Sequence, residues 1–236
     1  MHRFVWDMHY PAPEALNREF PISAIVHDTP QVPLGVWAMP GTYTVKLTVD
    51  GKTYMQPLTV RVDPRVKTPE PDLRKQFEME TGIVEGMNES YEALQQVRAL
   101  RPQLVDRAGK AKGALADSLK ALDKQVAELE GASQGAFFGV PPSGRQAENF
   151  STLNQHFGQL LSVVDSADAA PTTQAAAVYS EFEDALGKLL AQWTKLRQSD
   201  LPSVNASLKK AHIEEVDPNK GAAATPAGES DQDDEP

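Results

Sequence analysis

The side chains best suited to chemistry, the histidines and the carboxylates, are scattered along the chain. The five histidines lie in five separate segments, without the His-x3-His or His-Glu-x2-His spacing that places two ligands on one metal ion. The aspartates of the first 66 residues are Asp7, Asp28, Asp50 and Asp63. Hydrolysis of a glycosidic bond needs two carboxyl groups that face each other across a cleft. A turn accounts for Asp50 and a strand end for Asp63, so the pattern identifies no such pair.

Motifs that bind phosphate or activate a nucleophile are also missing. The chain has no Gly-x-Gly-x2-Gly, no complete Gly-x4-Gly-Lys-Ser/Thr loop and no Gly-x-Ser-x-Gly turn. It has no cysteine either, which excludes disulfides and thiolate metal sites. We therefore predict no catalytic, cofactor-binding or metal-binding residues, and no cofactor.

The net charge of the chain bears on which class of partner it could bind. The net charge is −10, which argues against a nucleic-acid binder because phosphate contacts need a basic face. Residues 213–236 hold eight acidic residues and one basic residue, with few large apolar side chains, and we expect a disordered acidic tail there.

No stretch has the length and hydropathy of a membrane span. The first residues lack the pattern of a signal peptide, so as written we expect the chain to remain in the cytoplasm.

The first 66 residues read as β-structure. Residues 43–49 and 52–60 alternate apolar and polar side chains around Asp50-Gly51, which is a strong hairpin signal. Tyr43, Val45 and their alternate neighbours form one apolar face, and the return strand continues it. Pro57 lacks a backbone donor and predicts an edge position or a bulge. The segment ISAIVH, residues 22–27, is a further strand candidate.

The opening stretch MHRFVWDMHYP alternates in the same way. Large side chains at every second position predict a strand with one face buried against a neighbour. We expect polypeptide preceding this chain to supply that neighbour, and we identify Phe4 and Trp6 as interface residues. A second interface candidate is the paired Phe137 and Phe138 in the loop GASQGAFFGVPPSGR, since exposed aromatic side chains can dock a partner.

From residue 69 the apolar period becomes helical. One helix is predicted from Pro71 to about Pro102, which ends or kinks it, and a second from about Ala108 to Gly131. A third covers about 146–165, a fourth follows the Ala-Ala-Pro-Thr-Thr break, and a short last helix follows Pro202. Short connections between such helices favour antiparallel neighbours.

Together these patterns predict a segregated α+β protein. Residues 1–66 form a partial immunoglobulin-like antiparallel β-sandwich, because the strands are too few for a complete one. Residues 67–212 form an antiparallel helical bundle of about four helices, and residues 213–236 form the acidic tail.

Several strings resemble a known family. RFVWDMHYP, PGTYTVKL, QPL, DPR and the late Leu201-Pro202-x2-Asn205-x2-Leu208 are similar to the C-terminal region of bacterial sortilin-type β-propeller proteins, BNR-repeat proteins often labelled glycosyl hydrolases. The resemblance covers the chain except its acidic tail. It implies an immunoglobulin-like module that follows a propeller, then a helical segment, in a periplasmic or secreted parent protein. The Ser-x-Asp-x-Gly-x-Thr-Trp box of propeller repeats is absent here, so no propeller residue is carried over.

Three functions are compatible with these observations. The first is a non-catalytic accessory module that contacts an upstream β-propeller domain or another protein through Phe4 and Trp6. The second is a stand-alone adaptor that needs no cover for a core strand. The third is a glycosidase, which requires two acidic side chains to converge in a pocket.

Overall fold

The computed structural model describes residues 4–20, 29–131 and 148–221. Within them, two antiparallel strands come first, β1 (Gly41–Val49) and β2 (Lys52–Val60). Five α-helices follow: α1 (Glu70–Lys110), α2 (Ala114–Glu130), α3 (Phe150–Val164), α4 (Thr173–Lys195) and α5 (Leu201–Lys210). The predicted order, strands first and helices after, is therefore present in the described residues.

The two strands form a hairpin with a two-residue loop. Asp50 and Gly51 both have positive φ, 49° and 75°, as the type I′ turn requires. This turn pairs Val49 with Lys52, and the register continues without a bulge to Gly41 and Val60. Asp-Gly favours the turn because both residues tolerate the left-handed region. The predicted hairpin is confirmed, and Pro57 lies at an edge rather than at a bulge.

The register gives the hairpin one apolar and one polar face. Residues directly opposite each other in an antiparallel pair share a face. Tyr43 faces Leu58 and Leu47 faces Tyr54, whereas Thr48 faces Thr53 on the other side. We call the apolar side the hairpin face; its members are Tyr43, Val45, Leu47, Val49, Tyr54 and Leu58.

The strand predicted for the opening residues does not form. Met8 adopts φ 66°, which breaks the alternation expected of a strand from Phe4 to Tyr10. Instead, the chain makes one bridge to a loop, in which the Tyr10 amide donates to the Val36 carbonyl at 2.8 Å. Residues 1–3 and the strand candidate at 22–27 lie outside the described residues. Among the described residues the sheet has two strands, which is less than the predicted partial sandwich.

Glycines set two of the helix ends, and one proline does not. Gly113 and Gly131 have φ of 59° and 76°, and α2 lies between them. The predicted end at Gly131 is confirmed. Helix α1 continues past Pro102 to Lys110, so of the two predicted alternatives, an end or a kink at Pro102, the end is excluded. Packing of the flanking buried residues Leu100 and Leu104 outweighs the lost backbone hydrogen bond.

The core lies between the helices, and α1 is at its centre. Helix α1 contacts α2, α3 and α4, while α2 also meets α5. The side chains buried most completely come from four helices: Ile83, Met87, Leu94, Val97, Leu100, Leu104, Leu119, Val126, Phe150, Leu153, Phe157 and Leu208. The hairpin strands contribute none of them, so the helical part has a core of its own.

The last helices are nearly continuous. A π-helical segment, Leu196–Asp200, joins α4 to α5, and Pro202 lies in the first turn of α5. The wider π turn accommodates the missing N–H of Pro202, so the chain stays helical from α4 into the predicted short last helix. Leu201 and Leu208 are buried.

The segment after α5 is packed rather than free. Asn205 donates to the Val216 carbonyl and accepts from the Val216 amide, both at 2.9 Å, and Gln103 makes the same pair of bonds to Asp217 at 2.8 and 3.0 Å. Val216 is buried, and Arg107 binds the Glu214 carboxylate at 2.6 Å. The predicted tail therefore does not begin at residue 213, because two side-chain amides and a buried valine hold its first residues. Residues 222–236 lie outside the described part.

One buried amide attaches the N-terminal segment to the helices. Asn154 of α3 accepts from the Leu16 amide at 2.9 Å and donates to the Glu14 and Met87 carbonyls at 3.1 and 2.9 Å. Its side chain is 1% exposed. Asn88 of α1 accepts from the Glu14 amide at 2.8 Å in a more exposed position. These bonds fix the segment that leads to Trp6 and the hairpin.

We expect Asn154→Ala to lower the free energy of unfolding by about 2 kcal/mol, because it leaves buried backbone groups without partners. Hydrogen exchange of the Leu16 amide should accelerate more than exchange in the core of α1. Asn88→Ala serves as the control, and we expect a loss of about 0.5 kcal/mol from this exposed bond. Equal effects of the two variants would show that the buried network does not hold the segment.

Candidate functional site

The hairpin face is largely uncovered. Val45, Leu47 and Tyr54 are 51%, 57% and 57% exposed. Leu47 lies opposite Tyr54, and Val45 is two residues from Leu47 on the same face, so the three side chains form an apolar surface that Gln56, opposite Val45, borders. Apolar surfaces of this kind mark sites of protein contact more often than isolated exposed residues do.

Trp6 lies at the base of the hairpin face. Its indole packs edge-on against Tyr43, with ring centroids 5.6 Å apart, and its Nε1–H donates to the His9 carbonyl at 3.0 Å. Phe4 is 89% exposed. The structure therefore brings Trp6 to the hairpin face and leaves Phe4 in solvent beside it in the chain. Phe137 and Phe138 lie outside the described residues.

A second group of aromatic residues lies next to Trp6. The His9 ring packs against Trp37 at a tilt of 41°, with centroids 3.8 Å apart, and Trp37 remains 46% exposed. The His9 side chain is buried, and its Nδ1 lies 3.3 Å from an Asp7 carboxylate oxygen. Tyr10 packs against Phe77 of α1 at 5.9 Å. The sequence placed Trp37 in a proline-rich loop, where no periodicity identifies a contact residue.

A cavity of about 200 Å³ opens between the base of the hairpin and α1. Its apolar wall includes Met8, Trp37, Leu73 and Phe77. Asp63, Glu80 and Asp168 also line it, so three carboxyl groups from separate segments of the chain border one cavity. The sequence did not predict this cavity, because its lining comes from segments that are far apart in the chain.

Gln76 organises the polar side of the cavity. Its Nε2 lies 3.0 Å from the Glu80 Oε1 and from the Val164 carbonyl oxygen, and 3.1 Å from the Ala167 carbonyl oxygen. Its Oε1 accepts from the Ala169 amide at 3.2 Å. One side chain thus ties α1 to the connection between α3 and α4.

Burial shifts the proton equilibria of this region. Desolvation raises the pKa of Glu80 from 4.5 to about 7; the bond from Gln76 opposes the shift, and the nearby Asp165 and Asp168 add to it. Burial also raises the pKa of Asp165, while the electrostatic interaction with His9 and a hydrogen bond from Trp37 oppose that shift. A carboxyl group that is partly protonated near neutral pH can donate or accept a proton.

Of the carboxylates considered from sequence, Asp63 lines the cavity, whereas Asp7 and Asp50 lie elsewhere. Asp7 accepts from the His9 amide at 3.0 Å, and Asp50 lies in the hairpin turn. Asp63 forms an ion pair with Arg65 at 2.7 Å, and the hydrogen bonds from Arg65 lower its pKa. Asp28 lies outside the described residues.

The described histidines are also separate from one another. His156 stacks with Phe182 at 5.5 Å, whereas His212 follows the end of α5. His2 and His27 are outside the described residues. Across residues 4–20, 29–131 and 148–221, no three histidine or acidic side chains are grouped as metal ligands.

Comparisons with known proteins leave the chain without assigned relatives: no family model matches it, and neither the curated proteins nor the solved structures give a match. None of the helices in the described ranges combines the length and hydropathy needed to cross a bilayer.

Proposed function

We propose that this chain is a non-catalytic accessory module that binds a β-domain through the hairpin face and Trp6. The uncovered hairpin face is the observation that carries the proposal. In this proposal the hairpin belongs to a partial immunoglobulin-like sandwich, α1 to α4 form an antiparallel bundle, and the partner is the β-propeller of a sortilin-type protein. A periplasmic or secreted setting follows from the same resemblance.

The distribution of the core supports this assignment over a stand-alone adaptor. The helices bury their own apolar side chains, while Val45, Leu47 and Tyr54 stay half exposed. An adaptor that needs no cover for its strands would gain nothing from such a surface, which also promotes aggregation. A partner that covers the hairpin face would gain apolar contacts at no cost to the helical core.

The test replaces apolar side chains on the hairpin face without lowering β-propensity. In the full chain, Val45→Thr with Leu47→Thr should weaken binding to a purified sortilin-type β-propeller domain at least about tenfold, since central apolar contacts contribute most of the affinity. Titration calorimetry measures the change. The stability of the isolated chain should change by no more than about 0.5 kcal/mol, because these positions are exposed.

Met55→Thr is the matched control. Met55 is 62% exposed and lies on the polar side of the same hairpin, opposite Lys46. It should leave the affinity within about twofold, because surface substitutions away from a contact have small effects. Equal weakening by both changes, or no binding by the unaltered chain, would contradict the proposal.

The cavity favours a glycosidase as a second candidate. Glu80 and Asp168 share its wall, and a pKa of about 7 suits Glu80 to act as a general acid. Assays with chromogenic glycosides test this candidate directly. Hydrolysis by the unaltered chain that Glu80→Gln abolishes would support it, and hydrolysis that survives the change would assign the activity elsewhere.

A further inference from the structure

We propose that the partner adds a β-strand to the outer edge of β1, which pairs with no further strand among the described residues, and that the edge of β2 does not accept one. This inference rests on the proposed function and specifies how its partner is recognised. It follows from the register of the hairpin, the position of Pro57 and the exposure of the strands.

The register determines which amides point outward. In a two-residue hairpin the residues flanking the loop, Val49 and Lys52, form a hydrogen-bonded pair, and such pairs alternate with non-bonded pairs along the ladder. Val45 and Leu47 therefore direct their backbone groups toward β2. The intervening residues of β1, namely Thr42, Thr44, Lys46 and Thr48, direct theirs to the outer edge.

Pro57 makes the two edges unequal. It pairs with Thr44, at a non-bonded position, so its missing N–H belongs to the outer edge of β2. An added strand on β2 would lack a donor near its middle. The edge of β1 has a complete set of donors and acceptors, and nearly all residues of both strands are exposed. Proline on one edge is a common device for blocking strand addition at that edge.

The hairpin face defines the occupant of the β1 edge. A strand paired with β1 places every second side chain beside Val45 and Leu47, so the partner segment should alternate apolar residues on that face with polar residues beside Lys46. A β-domain can supply both this strand and a layer that covers the hairpin face.

A second copy of this chain fits less well. Pairing β1 with its counterpart would enlarge the uncovered apolar surface rather than cover it, and each copy carries a net charge of −10. We therefore assign the edge to a different polypeptide.

The experiment uses the full chain and the purified sortilin-type β-propeller domain as the probe. Lys46→Pro removes an outward donor from β1, and Met55→Pro removes one from β2 at the directly opposite position. We expect at least tenfold weaker binding for Lys46→Pro and less than twofold for Met55→Pro. Lys46→Thr controls for the lost charge and should behave like the unaltered chain.

Hydrogen exchange provides a second measurement that needs no variant. The amides of Thr44, Lys46 and Thr48 should exchange freely in the isolated chain and become at least tenfold slower in the complex, while the Met55 amide stays unprotected. This pattern would support the inference.

Three results would overturn the inference. A complex that loses affinity with the Val45→Thr and Leu47→Thr changes but leaves the β1 amides unprotected would contradict strand addition and leave the proposed function intact. Absence of any complex would overturn both. Protection of the β1 amides that grows with concentration in the isolated chain would assign the edge to a second copy.

Discussion

Glu80→Gln is expected to stabilise the protein near neutral pH by up to about 3 kcal/mol and to have almost no effect near pH 4. Glu80 is 3% exposed, and the pKa of its carboxyl rises from 4.5 to about 7 on folding. Since each unit of pKa difference corresponds to roughly 1.4 kcal/mol, ionising Glu80 in the folded state costs about 3 kcal/mol. A glutamine keeps the acceptor for Gln76 and cannot ionise.

The sign of the pH dependence follows from the raised pKa. The folded state holds the Glu80 proton more tightly than the unfolded state, so protonation of Glu80 contributes its full stability below about pH 4.5. This contribution falls as pH rises from about 4.5 to about 7, because the unfolded state ionises first. Above about pH 7 Glu80 is ionised in both states and the lost stability stays constant. The unaltered chain should therefore become less stable than the variant over this range.

Urea unfolding followed by far-UV circular dichroism, at intervals from about pH 4 to about pH 8, measures the difference. Glu78→Gln is the matched control, because Glu78 is an exposed carboxylate on the same helix. It should change the stability by no more than about 0.5 kcal/mol at any pH. A pH-independent gap between Glu80→Gln and the unaltered chain would contradict a buried carboxyl that ionises on the way to neutral pH.

Gly86→Ala is expected to lower the free energy of unfolding by about 2 kcal/mol, against the usual preference of helices for alanine. A Cβ at this buried position would lie 2.7 Å from the Cζ of Phe157. Phe157 is fully buried in α3 and packs edge-on against Phe182 at 5.5 Å, so its ring cannot move aside freely. The close approach of α1 and α3 depends on the missing side chain.

Gly187→Ala controls for helix propensity. Gly187 is an exposed position within α4, and an added Cβ there meets no atom within 4 Å. It should raise stability by up to about 1 kcal/mol. Phe157→Leu should recover part of the loss in a double variant with Gly86→Ala, because the shorter side chain relieves the contact. Stabilisation by Gly86→Ala alone would show that the helices separate without cost.

Local patterns predicted much of the secondary structure. Asp50-Gly51 and the flanking alternation located the hairpin and its apolar face, because turn type and register are set by neighbouring residues. Gly131 ended α2 for the same local reason. The strand over Phe4 to Tyr10 was wrong, since alternation cannot reveal the positive φ of Met8. The continuation of α1 past Pro102 depended on packing between helices rather than on the proline.

The sequence predicted only part of the candidate site. Trp6 was identified from its place in an aromatic alternation, and it does meet Tyr43 at the base of the hairpin face. The cavity was not foreseen, because Glu80 and Asp168 come from α1 and from the connection after α3.

The amino-acid order alone predicted the hairpin and its apolar face, since these depend on turn chemistry and side-chain alternation within about twenty residues. The folded arrangement decided which surfaces stay uncovered and which carboxyls share a cavity. Glu80 is buried because segments that are far apart in the sequence pack around it, and Leu47 is exposed because no described segment packs on it. Local sequence patterns do not determine such contacts between distant segments.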